Sequence, residues 1–211
     1  MSTASPALRE LDTPHGRARV HIHRAARARG ALVLGHGAGG GVAAPDLVAA
    51  TEAAWAEHVS VALVEQPYRV AGRRSPPAAS TLDAAWLAVV RQLRRRSLRG
   101  LPLLVGGRSS GARVACRTAA EVGAVGVLCL AFPLQPPARA GAAAARPSRL
   151  PELEAVEAPV LVVQGENDRF GIPPAGPSRD VAVVRGDHSL RSDRDAVREA
   201  VQTWLARMLS P

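Results

Sequence analysis

A glycine-flanked serine at a predicted strand-to-helix junction constrains the fold of this chain more than any other feature. The motif G-R-S-S-G at residues 107–111 follows an apolar run at 101–105 and precedes a helix-like segment at 112–121. A G-x-S-x-G turn forces its central serine into a strained backbone conformation, and small flanking residues let the strand and the helix approach each other. The motif therefore predicts that the hydroxyl of Ser109 stands exposed at a helix N-terminus, as a nucleophile must.

Two further polar side chains follow predicted strands later in the chain. Asp168 comes shortly after an apolar run at residues 159–163, and His188 comes after another at 181–184. The carboxyl ends of parallel strands meet at one edge of a sheet, where ligands bind. Ser109 would then lose its proton to His188 as it attacks a carbonyl carbon, while Asp168 orients the imidazole and stabilises its cation.

Two other acids compete with Asp168 for the orienting role. Glu166 lies nearer the strand end than the usual Gly-x-x-Asp spacing, and Asp187 is the immediate chain neighbour of His188, which is a poor geometry for orienting its ring. Asp168 is therefore the expected acid. Ser110 does not occupy the central position of the motif, and we expect it to contribute its backbone N–H.

The glycine-rich segment GHGAGG at residues 35–40 admits two interpretations. In the first, a backbone N–H of this loop joins that of Ser110 and binds the negative oxygen of a tetrahedral intermediate, forming an oxyanion hole. Ala38 is the expected loop donor, with Gly37 and Gly39 as alternatives. The histidine of the segment then braces the loop rather than reacting.

The second interpretation of this loop is dinucleotide binding. The same residues satisfy G-x-G-x-x-G, and Glu65 ends the next strand, where a ribose-binding acid would lie. Pyrophosphate binding, however, needs a helix that begins within the glycine motif, whereas the next helix signal here is Pro45. This interpretation also leaves Ser109, Asp168 and His188 without a role.

Length and composition predict one globular α/β domain spanning residues 1–211. The chain is 47% hydrophobic, and its apolar runs alternate with amphipathic segments, the pattern of a mostly parallel sheet with helices on both faces. No stretch approaches the roughly 18 apolar residues of a membrane helix, and residues 1–16 lack the apolar core of a signal peptide. We therefore expect a cytoplasmic protein that does not engage a membrane.

The basic charge does not predict a nucleic-acid partner. The formal net charge is +9, but the sequence contains no lysine, so arginine alone supplies the positive charge of an alanine-rich chain. A chain without lysine also has no P-loop lysine and no lysine for Schiff-base or pyridoxal chemistry.

The cysteines and the paired histidines do not predict a metal or redox centre. Cys116 and Cys129 fall in predicted core positions without a C-x-x-C motif, so we expect free, buried thiols. His21 and His23 share one face of a predicted strand, but no third ligand accompanies them. We expect neither a metal nor an organic cofactor.

Three helix starts carry local signals. Pro45 suits an early position of one helix, and S-x-x-D patterns that begin at Ser80 and Ser192 predict the starts of two others. These signals place helices between the predicted strands.

The predicted substrate contacts lie in two irregular loops and beside the nucleophile. Loops 65–79 and 132–149 follow strand ends and are candidate substrate walls. Arg108 and Phe132 are candidate substrate-binding residues. The arginine suggests a substrate that bears an anionic or carboxylate group.

The chain resembles the α/β-hydrolase superfamily, in particular its small, cap-less, dienelactone-hydrolase-like members. The resemblance rests on the combination of the GHGAGG loop, the G-x-S-x-G turn at residues 107–111, Asp168 and the late His188. Nucleophile, acid and histidine also follow one another in the order of that superfamily. The resemblance covers the chain from about Ala31 onward. It implies a minimal α/β-hydrolase fold without a full cap domain, and it assigns the nucleophile to Ser109.

The residues and the resemblance together predict a serine hydrolase. It would cleave a carboxylic ester or a related acyl bond of a small molecule through an acyl-enzyme, with a triad of Ser109, Asp168 and His188. The oxyanion donors would be Ala38 and Ser110. The main alternative is a non-catalytic interaction protein that keeps the fold with a vestigial site, and a dinucleotide-binding Rossmann-type protein is a further one.

Overall fold

One eight-stranded sheet organises the structure, a computed structural model that describes residues 6–136 and 147–210. The strands are β1 (Ala7–Thr13), β2 (Gly16–His23), β3 (Gly30–Gly35), β4 (Val59–Glu65), β5 (Leu103–Arg108), β6 (Gly126–Leu130), β7 (Val160–Gly165) and β8 (Arg179–Val184). The helices are α1 (Pro45–Ala56), α2 (Pro67–Val70), α3 (Ala79–Arg95), α4 (Ser110–Thr118), α5 (Leu150–Glu154) and α6 (Arg194–Met208).

The sheet is mostly parallel, as the alternation of apolar runs and amphipathic segments predicts. Its strand order is β1-β2-β4-β3-β5-β6-β7-β8. The strands from β4 across to β8 run parallel, whereas β1 and β2 add an antiparallel hairpin at one edge. Strands β3, β6 and β7 are buried along their whole length, because their aliphatic side chains meet helices on both faces of the sheet.

Two apolar cores lie on opposite faces of this sheet. One core joins the sheet to α3 and α4 and contains Trp86 and Val114, and the other joins it to α1 and α6 and contains Leu47 and Trp204. This arrangement confirms the predicted helices on both faces. Among the described residues, no helix is long and apolar enough to cross a membrane.

The helix starts agree with the sequence signals at one site and differ at two. Pro45 is the first residue of α1, as predicted. Helix α3 begins at Ala79 after an N-cap, Ala78, that makes no side-chain hydrogen bond, so Ser80 lies inside the first turn. Helix α6 is capped by Asp193, whose carboxylate accepts a hydrogen bond from the N–H of Ala196. The predicted helix starts at Ser80 and Ser192 are therefore wrong. The N-cap of α3 is Ala78, two residues before Ser80, and the N-cap of α6 is Asp193, one residue after Ser192.

The two cysteines are free and buried, as predicted. Their Sγ atoms lie 3.4 Å apart, where Cys116 of α4 meets Cys129 of β6. This contact and burial raise the pKa of the Cys129 thiol, so its reactive thiolate form is disfavoured.

The two predicted substrate walls follow strand ends at the carboxyl edge of the sheet. Loop 65–79 contains the short helix α2. In the second loop, residues 137–146 lie outside the described residues, and only its two ends are described.

Candidate active site

Ser109 occupies a sharp turn between β5 and α4, as the G-x-S-x-G motif predicts. Its backbone angles are φ 52° and ψ −108°, a conformation that L-residues rarely adopt. The N–H of Ser109 donates to the carbonyl oxygen of Leu130 across 2.8 Å, which fixes the turn against β6. The strained residue therefore stands at the N-terminus of a helix, at the carboxyl edge of the parallel sheet.

His188 and Asp168 meet Ser109 in a continuous chain of hydrogen bonds. Nε2 of His188 lies 3.0 Å from Oγ of Ser109, and Nδ1 of His188 lies 2.7 Å from Oδ2 of Asp168. The Asp168 side chain has no exposed surface, whereas the imidazole is partly exposed. Such a chain can take the proton of the serine onto an imidazole that a buried carboxylate orients.

Asp168 is held by groups that no sequence motif indicates. Gln164, at the end of β7, donates from Nε2 to Oδ2 of Asp168 across 2.8 Å, and the N–H of Phe170 donates to Oδ1 across 2.9 Å. Nε2 of Gln164 also lies 3.0 Å from the carbonyl oxygen of Phe132. Gln164 is completely buried. The one sequence signal for this contact is that Gln164 is a polar residue at the end of the otherwise aliphatic run of β7.

The two competing acids lie elsewhere. Glu166 is exposed. Asp187 is also exposed and accepts a hydrogen bond from the N–H of Ser189 across 2.8 Å. The hydrogen bonds from Ser189 lower the pKa of the Asp187 carboxyl. Of the three acids, the structure brings Asp168 to the imidazole.

The glycine-rich loop follows β3 and passes beside the serine turn. The N–H of Gly40 donates to the carbonyl oxygen of Gly37, so Ala38 and Gly39 occupy the centre of a tight turn. The hydroxyl of Tyr68 donates to the carbonyl oxygen of Ala38 across 3.1 Å, which fixes that peptide. Ser110 is the first residue of α4, so the helix itself provides no acceptor for its N–H.

His36 braces this loop. Its Nδ1 lies 2.8 Å from the carbonyl oxygen of Gly37, and its Nε2 accepts the N–H of Gln66 across 3.1 Å. Because Nε2 accepts an N–H and Nδ1 faces a carbonyl oxygen, these contacts fit the neutral ring with its proton on Nδ1. Burial lowers the pKa of His36, which favours the same neutral form. His36 therefore links the loop to the end of β4.

The loop lacks the helix that the dinucleotide interpretation requires. Helix α1 begins at Pro45, beyond the glycine motif that ends at Gly40. Glu65, the candidate ribose acid, lies 3.5 Å from Arg19 and 3.5 Å from His21. These contacts give Glu65 a role within the sheet.

The two candidate substrate-binding side chains are both engaged within the protein. Nε of Arg108 lies 2.9 Å from Oδ2 of Asp46, and its NH2 group donates to the carbonyl oxygen of His188 across 3.0 Å. The side chain of Phe132 belongs to the apolar core and has no exposed surface. Arg108 nevertheless lies in the lining of the groove beside the site, so its predicted contact with substrate stays a prediction. Phe132 is enclosed by the core and does not form a substrate wall.

An open groove of about 460 Å³ lies beside the site. Its lining includes Gly39 and Gly40 of the glycine-rich loop, Pro45, Arg108, Ser189 and Arg191. Among the described residues, no group of three His, Cys, Asp or Glu side chains could hold a metal ion.

Comparisons with known proteins identify the family and the fold of this chain. The profile of a family described as an alpha/beta hydrolase domain matches residues 28–208. No curated protein sequence matches the chain. Solved structures share the fold of this chain, but their sequence identity to it is low.

Three solved structures illustrate that resemblance. Est1E from Butyrivibrio proteoclasticus, also solved with ferulic acid bound, has a TM-score of 0.78 at 13% identity, over 99% of this chain and 100% of its own. A serine hydrolase without a lid from Xanthomonas campestris has a TM-score of 0.70 at 18% identity, over 97% of each chain. A dienelactone hydrolase from Anabaena variabilis has a TM-score of 0.70 at 15% identity, over 96% of each chain.

The family profile covers most of the chain, and the sheet order and the serine turn agree with it. Residues 6–136 and 147–210 contain no separate cap domain. The predicted resemblance to small members of this superfamily is confirmed. The chain belongs to the α/β-hydrolase family.

Proposed function

We propose that this protein is a serine hydrolase that cleaves a carboxylic ester, or a related acyl bond, of a small molecule. The observation that carries the proposal is the hydrogen-bonded chain from Oγ of Ser109 through His188 to the buried carboxylate of Asp168. The strained turn adds a second argument, because a serine held at positive φ at a helix N-terminus is an arrangement that a purely structural serine does not need.

In the first half of the reaction, Oγ of Ser109 attacks the substrate carbonyl carbon and Nε2 of His188 takes its proton. Asp168 stabilises the resulting imidazolium. The N–H groups of Ser110 and Ala38 bind the oxygen that becomes negative. The carbon–oxygen bond to the leaving group then breaks, and the leaving alcohol takes the proton from His188, which leaves an acyl group on Ser109.

In the second half, water replaces the alcohol. His188 takes a proton from the water as its oxygen attacks the acyl carbon, and the same donors bind the second oxyanion. The tetrahedral intermediate collapses with Oγ of Ser109 as the leaving group, which recovers its proton from His188. The products are a carboxylic acid and the free enzyme.

The surroundings of Ser109 support a small substrate. The groove of about 460 Å³ is open to solvent and lies against the glycine-rich loop that carries Ala38. Arg191 lies in its wall and supplies a positive charge. Est1E, which shares the fold, binds ferulic acid, so esters of aromatic acids belong in the first substrate panel beside short-chain p-nitrophenyl esters and lactones.

The test combines a covalent label with turnover. A fluorophosphonate probe should label the wild-type protein once, and the ester panel should give turnover. Ser109→Ala should abolish both, with a loss of about a millionfold in kcat, while the fold survives. Ser110→Ala is the matched control, because it keeps the backbone N–H and should retain labelling. A wild-type protein that neither takes the label nor cleaves any ester would favour the alternative, an interaction protein with a vestigial site.

A further inference from the structure

A buried ion pair crosses beneath the candidate site and joins segments that are far apart in sequence. Asp46, the second residue of α1, has a side chain with no exposed surface, and its Oδ2 lies 2.9 Å from Nε of Arg108. Its other oxygen accepts the N–H of Leu47 across 2.9 Å. Burial raises the pKa of the Asp46 carboxyl, and the guanidinium of Arg108 opposes that rise. A carboxylate in this position therefore depends on Arg108.

The guanidinium of Arg108 reaches three segments of the site at once. Its Nε forms an ion pair with Oδ2 of Asp46, and its NH2 group donates to the carbonyl oxygen of His188 across 3.0 Å. The NH1 group packs against Gly37, where an added Cβ would lie only 2.7 Å from it. Arg108 also precedes Ser109 directly in the chain. One side chain thus contacts the glycine-rich loop, the start of α1 and the backbone of the histidine loop.

We infer that Asp46 and Arg108 are positioning residues, which set the distance between Ser109 and His188 by holding the backbone of His188. This inference rests on the proposed function of Ser109 and His188. The planar guanidinium suits the role, because it presents several donors in a fixed geometry, whereas a lysine ammonium is a point charge on a flexible stem. Asp46 turns the guanidinium toward the histidine loop and neutralises it.

The assignment explains the arginine beside the nucleophile without an anionic substrate. The positive charge of Arg108 is paired with the Asp46 carboxylate at 2.9 Å, and its NH2 group donates a hydrogen bond to the carbonyl oxygen of His188. Arg108 also lies in the lining of the groove, so the kinetic split between kcat and KM distinguishes a positioning role from contact with substrate. Loss of its geometry should slow the chemical step and leave substrate binding unchanged.

The first variant is Arg108→Lys, which retains a charge for Asp46 but cannot span Asp46 and the His188 carbonyl together. We expect kcat to fall at least tenfold with KM within twofold of the wild type, and the fluorophosphonate labelling rate to fall by the same factor. The amides of residues 186–190 should exchange with solvent faster. Arg113→Lys is the control, because Arg113 forms a partly buried ion pair with Glu152 and, among the described residues, makes no contact with the histidine loop. It should change neither kcat nor this exchange.

The double variant Asp46→Leu with Arg108→Met removes both charges together and avoids an unpaired buried carboxylate. It should fold and show the same loss of kcat. Wild-type kcat in Arg108→Lys, or an equal loss in Arg113→Lys, would overturn the inference. If the wild type itself lacks labelling and turnover, the proposed function fails. Hydrogen exchange then decides the positioning role, because unchanged protection of residues 186–190 in Arg108→Lys would overturn it and faster exchange would support it.

Discussion

Gly35 and Gly111 approach each other so closely that a Cβ added to Gly111 would lie 2.4 Å from the carbonyl oxygen of Gly35. A Cβ added to Gly107 would also lie 2.4 Å from the carbonyl oxygen of Gly35. The strand that leads into the glycine-rich loop therefore packs directly on the turn that carries Ser109. Both glycines of the motif are needed for this contact, because a side chain at Gly107 would push β5 away from β3 and one at Gly111 would push α4 away from β3.

Gly111→Ala should destabilise the protein by at least about 1–3 kcal/mol, the range for overpacking a dense site, and should displace the glycine-rich loop. Urea unfolding measures the first effect and kcat the second. Gly39→Ala is the matched control, because nothing lies within 4 Å of a Cβ there, and its stability should stay within about 0.5 kcal/mol of the wild type. Equal stability of the two variants would contradict the close contact.

Gln164→Leu should lower kcat/KM by roughly 10- to 100-fold, the scale of one hydrogen bond to a charged group. The change removes the amide that donates to Oδ2 of Asp168, so the carboxylate loses one of the groups that orient it. Steady-state kinetics on a reactive ester measures the effect. Gln202→Leu, which removes an amide that donates to Glu57, is the control and should keep wild-type kinetics.

Asp168→Asn should reduce kcat by about ten-thousandfold, because an amide no longer enforces the tautomer of His188 that accepts the serine proton. Asp187→Asn and Glu166→Gln should retain most activity, since both carboxylates are exposed. The three variants should be compared on one ester at one pH. A larger loss in either control variant would assign the orienting role to that acid.

The buried His36 predicts a stability that depends on pH. Burial lowers its pKa from the ordinary value of 6.5, so the unfolded chain takes up a proton below that pH while the folded ring stays neutral. The stabilisation is present above pH 6.5 and is lost as the pH falls toward the lowered value. Relative to His36→Gln, the wild type should lose stability between pH 7.5 and 5.5, by at most about 1.4 kcal/mol, the linkage limit for a group whose unfolded pKa is 6.5.

Urea unfolding at the two pH values measures this difference. His15→Gln, in the exposed turn between β1 and β2, is the control and should keep the pH dependence of the wild type. If His36→Gln also keeps the full pH dependence, His36 is not the group responsible.

The parallel half of the fold could be predicted from sequence because its signals are local. Each buried strand is a short aliphatic run, and Pro45 marks the start of α1 directly. Strand β1 could not be predicted in this way, because Ala7–Thr13 is exposed along most of its length and shows no apolar alternation. Its pairing with β2 depends on backbone hydrogen bonds rather than on an apolar face.

The site was predictable where a motif and a strand end coincide, as at Ser109, Asp168 and His188. The supporting contacts were not predictable, because they depend on tertiary packing. Nothing in the sequence brings Asp46 to Arg108, although the positioning role that we infer for the arginine rests on that pair. Phe132 follows a strand end like a pocket residue, but its side chain turns inward to the core.

The order of the site residues along the chain also has a consequence for synthesis. Ser109 follows β5, whereas Asp168 and His188 follow β7 and β8, which are synthesised later. Parallel strand pairing joins segments that are distant in sequence and forms late. A growing chain would therefore carry Ser109 without His188 and Asp168 beside it until β7 and β8 have been synthesised and have joined the sheet, so the proposed triad assembles only after these strands pair.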